Sequence, residues 1–157
     1  MTSEKILTWD ALPAQIAEWR AAGLRIVFTN GCFDLVHLGH VDYLEKARML
    51  GDKMVVGINA DASVRRLKGE SRPLQDEYTR ARVMAAMQFV DAVAIFSEDT
   101  PYNLIALVQP DILVKGNDYA PENIVGYDIV TARGGSVETI ALVAGHSTSN
   151  LVQKMHQ

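Results

Sequence analysis

Two hydrophobic rhythms alternate along this chain. From Trp9 to Ala22, Leu12, Ile16 and Trp19 recur at helical spacing, and Gly23 stops the run. A strand-like run then spans Arg25 to Thr29, and a helical one spans Leu38 to Leu50. In that helix Val41, Leu44, Ala47 and Met49 or Leu50 are expected to face inward, with Gly51 as its stop. The alternation continues with strands over Lys53–Ile58, Asp91–Phe96, Asp111–Lys115 and Ser136–Leu142. Helices are predicted over Thr79–Phe89, from about Pro101, and over Ser147–Met155. Runs such as MVVGI, AVAIF and DILVK are apolar at nearly every position, the pattern of parallel strands covered on both faces. Alternation with helices predicts right-handed crossovers: an α/β fold with a doubly wound, mainly parallel five-stranded sheet. The longest polar interruption, Leu67 to Glu77, is expected to be a binding loop or lid.

Composition narrows the function. A length of 157 residues fits one domain, 1–157, here an N-terminal helical segment (1–23) before a core (24–157). A net charge of −4 argues against non-specific nucleic-acid binding. The single cysteine excludes an internal disulfide framework and fits a reducing cytoplasm. One cysteine and four scattered histidines do not assemble a zinc site, so no metal ligand is assigned to the protein. The polar start lacks a signal-type apolar stretch, and no run reaches membrane-spanning length.

The densest chemistry lies in Asn30–His40, NGCFDLVHLGH, directly after a strand and at the start of a helix. A helix N-terminus offers free N–H groups and partial positive charge, which suits phosphate. His37 and His40, three apart around Gly39, could donate hydrogen bonds to phosphate oxygens that gain charge during a displacement. The bland alternative packs His37 on the helix start and turns His40 to the core. Gly31 allows close backbone approach or simply a turn. Phe33 reads as packing, and Asp34 as a loop-fixing acceptor more than a substrate or metal contact. Two other strand ends belong to the same sheet edge: KGNDY (Lys115–Tyr119), with Gly116 and Asp118, and GHSTSN (Gly145–Asn150), with Ser147, Thr148 and Ser149 beside free N–H groups. In the long loop Lys68 and Arg72, with Arg80 just beyond, are cations able to close over a triphosphate, or ordinary solvated charge.

Taken together, GCFDLVHLGHVDYLEKARMLGD, VVGINAD, LKG, RP, Arg80, PDILVKGNDY and GHSTSN resemble the cytidylyltransferase-like nucleotidyltransferases, over roughly Leu24–Met155. Within that superfamily LKGESRP, DTP, PDILVKGNDY and STSN are most similar to the heptose 1-phosphate adenylyltransferases. The resemblance implies a Rossmann-like HxGH fold and transfer of AMP from ATP to D-glycero-β-D-manno-heptose 1-phosphate. ADP-heptose for lipopolysaccharide core and pyrophosphate would result, with Mg²⁺ accompanying ATP. It implies catalytic roles for His37, His40, Lys68 and Arg80. Nucleotide or phosphate contacts are expected from Asn30, Gly31, Cys32, Phe33, Gly39, Gly116, Asp118, Ser147, Thr148 and Ser149; Asp34 and Arg72 are candidate substrate contacts that the resemblance does not assign. With no room here for a sugar-kinase half, a separate heptose kinase is the expected pathway partner, and a homo-oligomer is compatible with apolar positions beside the long loop. His146 and Asn117 depart from the family pattern and have no assigned role. The competing expectations are a glycerol-3-phosphate or other cytidylyltransferase, an FMN adenylyltransferase, and a non-catalytic nucleotide-binding partner of a sugar kinase.

Overall fold

The computed structural model describes residues Met1–Gln157. A short 3₁₀ turn (Thr2–Lys5) precedes α1 (Leu12–Ala21), β1 (Ile26–Gly31), α2 (Leu38–Arg48) and β2 (Lys53–Asn59). Then come α3 (Asp61–Lys68), α4 (Glu77–Ala85), β3 (Ala92–Phe96), α5 (Tyr102–Val108) and β4 (Ile112–Gly116). The chain closes with α6 (Tyr127–Ala132), β5 (Ser136–Ile140) and α7 (Thr148–Met155). All neighbouring strands pair in parallel, in the order β3-β2-β1-β4-β5, so the sheet is parallel throughout.

Strand side chains alternate between two apolar cores. Ile26 and Phe28 join Leu12, Ile16 and Trp19 of α1 and Leu104, Ile105 and Val108 of α5 on one face. Val27 joins Tyr43, Leu44 and Ala47 of α2 and Ala81, Met84 and Ala85 of α4 on the other. The N-terminal segment therefore contributes to the main core. It also covers the outer edge of β3: Leu7 donates its N–H to the Val93 carbonyl at 2.8 Å, beside a parallel bridge from Ile6 to Val93. No helix is long and apolar enough to cross a membrane.

Several sequence expectations need correction. Helix α2 ends at Arg48, so Met49 and Leu50 are exposed and Tyr43 takes the inward position. Helix α4 starts earlier and ends earlier than the apolar pattern implied, because Asp76 caps it by accepting the Thr79 N–H at 2.7 Å. Helices α3 and α6 were not expected. The former lies between β2 and the long loop, which shortens that loop to the stretch after Lys68.

The sheet reverses its winding between β1 and β4, and there its ladder opens. The β1–β2 pairing runs from Ile26–Lys53 to Gly31–Ile58, whereas β1–β4 pairing is confined to Val27–Ile112 and Phe28–Leu113. Beyond Phe28 and Leu113 the two strands part, leaving Asn30, Gly31, Lys115 and Gly116 on opposite lips of a crevice. A crevice at the carboxyl ends of strands, at the topological switch, is where such sheets hold ligands.

Candidate active site

A cavity of about 450 Å³ opens over this crevice. Its wall comprises the β1–α2 loop, the lysine ending α3, the end of β4 and the start of α7. Of the residues the sequence singles out, His37, His40, Lys68, Arg72, Asp34, Asn30, Gly31, Cys32, Phe33, Gly39, Gly116, Asp118, Ser147, Thr148 and Ser149 all line it. Arg80 does not.

The two histidines hold each other. The Gly39 N–H donates to His37 Nδ1 at 3.0 Å, and the His37 N–H donates to His40 Nδ1 at 3.3 Å. An Nδ1 that accepts a main-chain N–H carries no proton, so each neutral ring is protonated at Nε2. Burial lowers the pKa of His40 to about 4, with help from the neighbouring His37 and Lys68 charges. The pKa of His37 is also lowered, by burial and then by His146. Both rings are therefore neutral Nε2–H donors near pH 7, with ring centroids 4.0 Å apart.

The loop between β1 and α2 is shaped to hold that pair. Phe33, nearly buried, adopts a left-handed φ of +49° and sets its ring edge-on to His40 at 5.4 Å. Gly31 has no side chain because a Cβ there would fall 2.9 Å from the Phe33 ring. A Cβ on Gly39 would fall 2.8 Å from His37 Cε1. Phe33 is thus a packing residue whose contact orients a histidine.

Asp34 is 3% exposed and accepts from the main-chain N–H groups of Leu74 and Gln75 at 2.8 and 2.9 Å and from Arg72 Nε at 3.1 Å. This agrees with the loop-fixing reading of Asp34 and corrects the substrate one: its oxygens are occupied in fastening the long loop to the histidine loop. The bond from Arg72 uses only Nε, which leaves both terminal amino groups of that guanidinium unpaired. Arg80 is 0% exposed, and its guanidinium donates to the Gln75 and Cys32 carbonyls and to Asp61 Oδ1 at 2.8–2.9 Å. Expected to touch phosphate, it instead braces the histidine loop and α4 from beneath.

At the other wall Ser147 is the N-cap of α7, its Oγ accepting the Asn150 N–H at 3.1 Å. Capping leaves its hydroxyl proton free for an anion. Thr148 Oγ1 is 3.4 Å from the Leu35 carbonyl, tying α7 to the histidine loop. Two helix N-termini, two lysines and Arg72 therefore converge on a cavity in which Asp118 is the only carboxylate besides the engaged Asp34. That distribution fits a polyanion.

Several lining residues had no assigned role in the sequence. The Tyr43 hydroxyl sits 2.8 Å from Thr29 Oγ1, and burial pushes its pKa up to about 12, so it stays protonated. His146 stands exposed with its ring 6.4 Å from that of His37, the two planes inclined by 27°. Tyr119, Leu142 and Val143 add apolar wall. A second cavity, of about 390 Å³, shares Asn30, Gly31, Cys32, Lys68, Lys115 and Tyr119 with the first and extends to Asn59, Asp99 and Asn123. No cluster of three or more His, Cys, Asp or Glu side chains is arranged to hold a metal.

A parallel sheet wound in both directions, with paired histidines at a helix N-terminus over its switch point, defines a nucleotide-binding α/β protein. The chain belongs to the cytidylyltransferase-like family, whose model matches residues 28–141. It is 62% identical over 141 residues to bifunctional protein HldE of Azorhizobium caulinodans, covering 90% of this chain and 29% of that protein. It is 56% identical over 155 residues to bifunctional protein HldE of Rhodopseudomonas palustris, covering 98% of this chain and 32% of the relative. The chain thus spans about a third of the length of these curated relatives. Among solved structures it is similar to the lipopolysaccharide core biosynthesis protein from Thermoplasma volcanium, with a TM-score of 0.61, 28% identity, and 77% and 98% of the two chains covered. Pantoate-beta-alanine ligase from Francisella tularensis, at 14% identity and TM-score 0.59 over 97% of this chain and 79% of that one, shares the fold.

Proposed function

We propose that this chain transfers AMP from ATP to the phosphate of D-glycero-β-D-manno-heptose 1-phosphate, forming ADP-heptose and pyrophosphate. The observation that carries the transfer reading is the locked histidine pair. Two neutral imidazoles, each fixed with its proton on Nε2, are donors ready before the α-phosphate gains charge, and so need no reorganisation when it does. The choice of heptose rests on the LKGESRP, PDILVKGNDY and STSN segments and on the likeness to bifunctional HldE proteins and a lipopolysaccharide core biosynthesis protein.

The reaction needs no protein nucleophile. An oxygen of the acceptor's phosphate forms a bond to the α-phosphorus, and the bond from that phosphorus to the bridging oxygen breaks. Pyrophosphate then leaves with the electron pair. The acceptor is already an anion, so no general base is required, and catalysis is alignment plus charge neutralisation. His37 and His40 receive the α-phosphate, while Lys68 and the free end of Arg72 face the leaving phosphates. Ser147 and the first N–H groups of α7 receive the terminal one. Two adjoining cavities that share Asn30–Cys32 suit two substrates meeting over one floor.

Mg²⁺ would enter with the triphosphate, held by its oxygens and water, and Asp118 is the one carboxylate of the first cavity that would be free to join them. Bound there, the ion would neutralise phosphate charge. The acceptor is a sugar 1-phosphate, so a sugar kinase activity must supply it.

The deciding experiment is pyrophosphate release with Mg²⁺ and ATP or CTP, each with heptose 1-phosphate, glycerol 3-phosphate or FMN. Release with ATP and heptose 1-phosphate alone is the expected result. CTP dependence would move the chain to the cytidylyltransferase reading, and silence with every pair would leave a nucleotide-binding module.

A further inference from the structure

The mechanism above uses Lys68 and leaves the other cavity lysine idle. The two are held differently. Lys68 is exposed at the end of α3, next to Gly69 at φ +102°, on a helix end rather than a strand. Lys115 projects from β4, on the lip of the crevice where β4 has parted from β1.

At that point the strand ladder has lost its partner, and the ammonium of Lys115 stands in for it. Its Nζ lies 3.4 Å from the Asn30 carbonyl, its only protein hydrogen bond, and it enters no ion pair. Beside it the Asn30 Oδ1 is buried without a hydrogen-bond partner. Lys115 lines both cavities and sits where they join. An ammonium taken from water with no counter-ion is unfavourable, and burial accordingly lowers its pKa, against the weaker raising influence of Asp118 and Cys32. A site that holds such a charge is short of one anion.

We propose that Lys115 binds the acceptor's phosphate, holding it at the junction of the two cavities, and that it selects phosphate monoesters over uncharged acceptors. This rests on the nucleotidyl-transfer reading and assigns that reading's second substrate. The two lysines then divide the work. The exposed one meets the triphosphate and the departing pyrophosphate, while the strand-borne one fixes the attacking anion opposite the histidines. Lys115 also screens the approach of one phosphate to another, which otherwise repel at contact distance. On the side of the second cavity, Asn59 spends its Nδ2 on Ser63 Oγ at 2.9 Å and keeps its carbonyl oxygen for a ligand hydroxyl. A polyol phosphate matches that wall.

The test compares Lys115→Met and Lys115→Arg with the wild-type protein. Steady-state rates are measured with heptose 1-phosphate varied at saturating ATP, and ATP binding is measured separately by calorimetry without acceptor. For Lys115→Met the expected result is an acceptor KM raised by roughly 10- to 100-fold, the scale of one charge-assisted hydrogen bond. Its ATP Kd should stay within about twofold, and its melting temperature should be unchanged or higher, because a partly buried ammonium with no counter-ion has been removed. Lys115→Arg should recover part of the acceptor affinity. An unchanged acceptor KM beside weakened ATP binding would overturn the assignment and give Lys115 to the donor. A lowered melting temperature with both constants shifted alike would overturn it in favour of a structural lysine. If the wild-type protein itself releases no pyrophosphate with any phosphate acceptor, the transfer reading falls and takes this inference with it. Turnover with an indifferent Lys115→Met sinks the inference alone.

Discussion

Helices α2 and α7 aim their N-termini at the same cavity, yet one is anchored and the other is not. Behind α2 stand Tyr43, Leu44 and Ala47, all buried, and around its first turn the histidine pair, Phe33, the Asp34 clamp and Arg80 lock one another. Helix α7 buries no residue, follows a strand whose side chains are only partly covered, and touches the histidine loop through a single 3.4 Å bond from Thr148. Gly145, just before it, sits at φ +78°. The difference teaches a division of labour. Groups that meet charge as it develops must be in place beforehand, whereas groups that enclose a substrate need freedom to open and close. Weakly packed elements open at low free-energy cost, and α7 is such an element.

The contrast breaks most visibly at Arg80. Replacing it with Met should destabilise the fold by about 3–5 kcal/mol, since Asp61 and two carbonyls lose a buried partner. Thermal unfolding measures this, and a near-normal melting temperature would mean that the histidine side is not braced as described. Next in size, His40→Ala should lower kcat by ~10²-fold or more while leaving the protein folded. Turnover near wild type would end the role of the histidine pair. A smaller effect is expected at the other wall. Ser147→Ala should destabilise α7 locally by about 1 kcal/mol and hardly move the global melting temperature. Hydrogen exchange would show the loss at Leu151 and Val152, and ATP should raise protection in α7 far more than in α2. Equal protection of both helices in the free protein would erase the contrast.

The smallest effect concerns pH. With its folded pKa depressed to about 4, the stability tied to neutral His40 is complete above the ordinary value of 6.5. It is lost progressively as pH falls from there towards 4. Histidine signals followed by NMR should therefore show His40 still neutral at pH 5.5, with His37 titrating below its usual range. Titration of both rings near 6.5 would show that burial does not set their protonation.

Much of this architecture could be read from residue order, because the segments MVVGI, AVAIF and DILVK are apolar at nearly every position and alternate with helical runs, as strands covered on both faces require. Helices α3 and α6 escaped for a physical reason. The former is eight residues long and buries only Ser63 and Val64 among charged neighbours, and the latter is six residues long with Val130 alone in the core, so neither offers the repeated buried apolar positions that mark a helix in sequence. Met49 and Leu50 misled because apolar character continues past the last helical turn. At the site, glycines and histidines announced their loop, since their spacing is itself the geometry. What residue order could not show is which cations reach the cavity. Arg80 sits among polar residues and Lys115 follows an apolar run, yet only the course of the backbone buries the first and leaves the second at the junction of two cavities. The closing contact of Asp34 with the residues after Arg72, some forty positions away, belongs to the same class of tertiary information.

The two rims of the sheet have unequal exposure to other chains. Residues Ile6 and Leu7 already occupy the outer side of β3, so an incoming strand finds no free ladder there. Only β5 has an unpaired flank, five residues long and bearing the exposed carboxylate of Glu138. Short, charged borders resist edge-to-edge stacking. The molecule can therefore lengthen its sheet in one direction only, and in that direction it meets a deterrent charge.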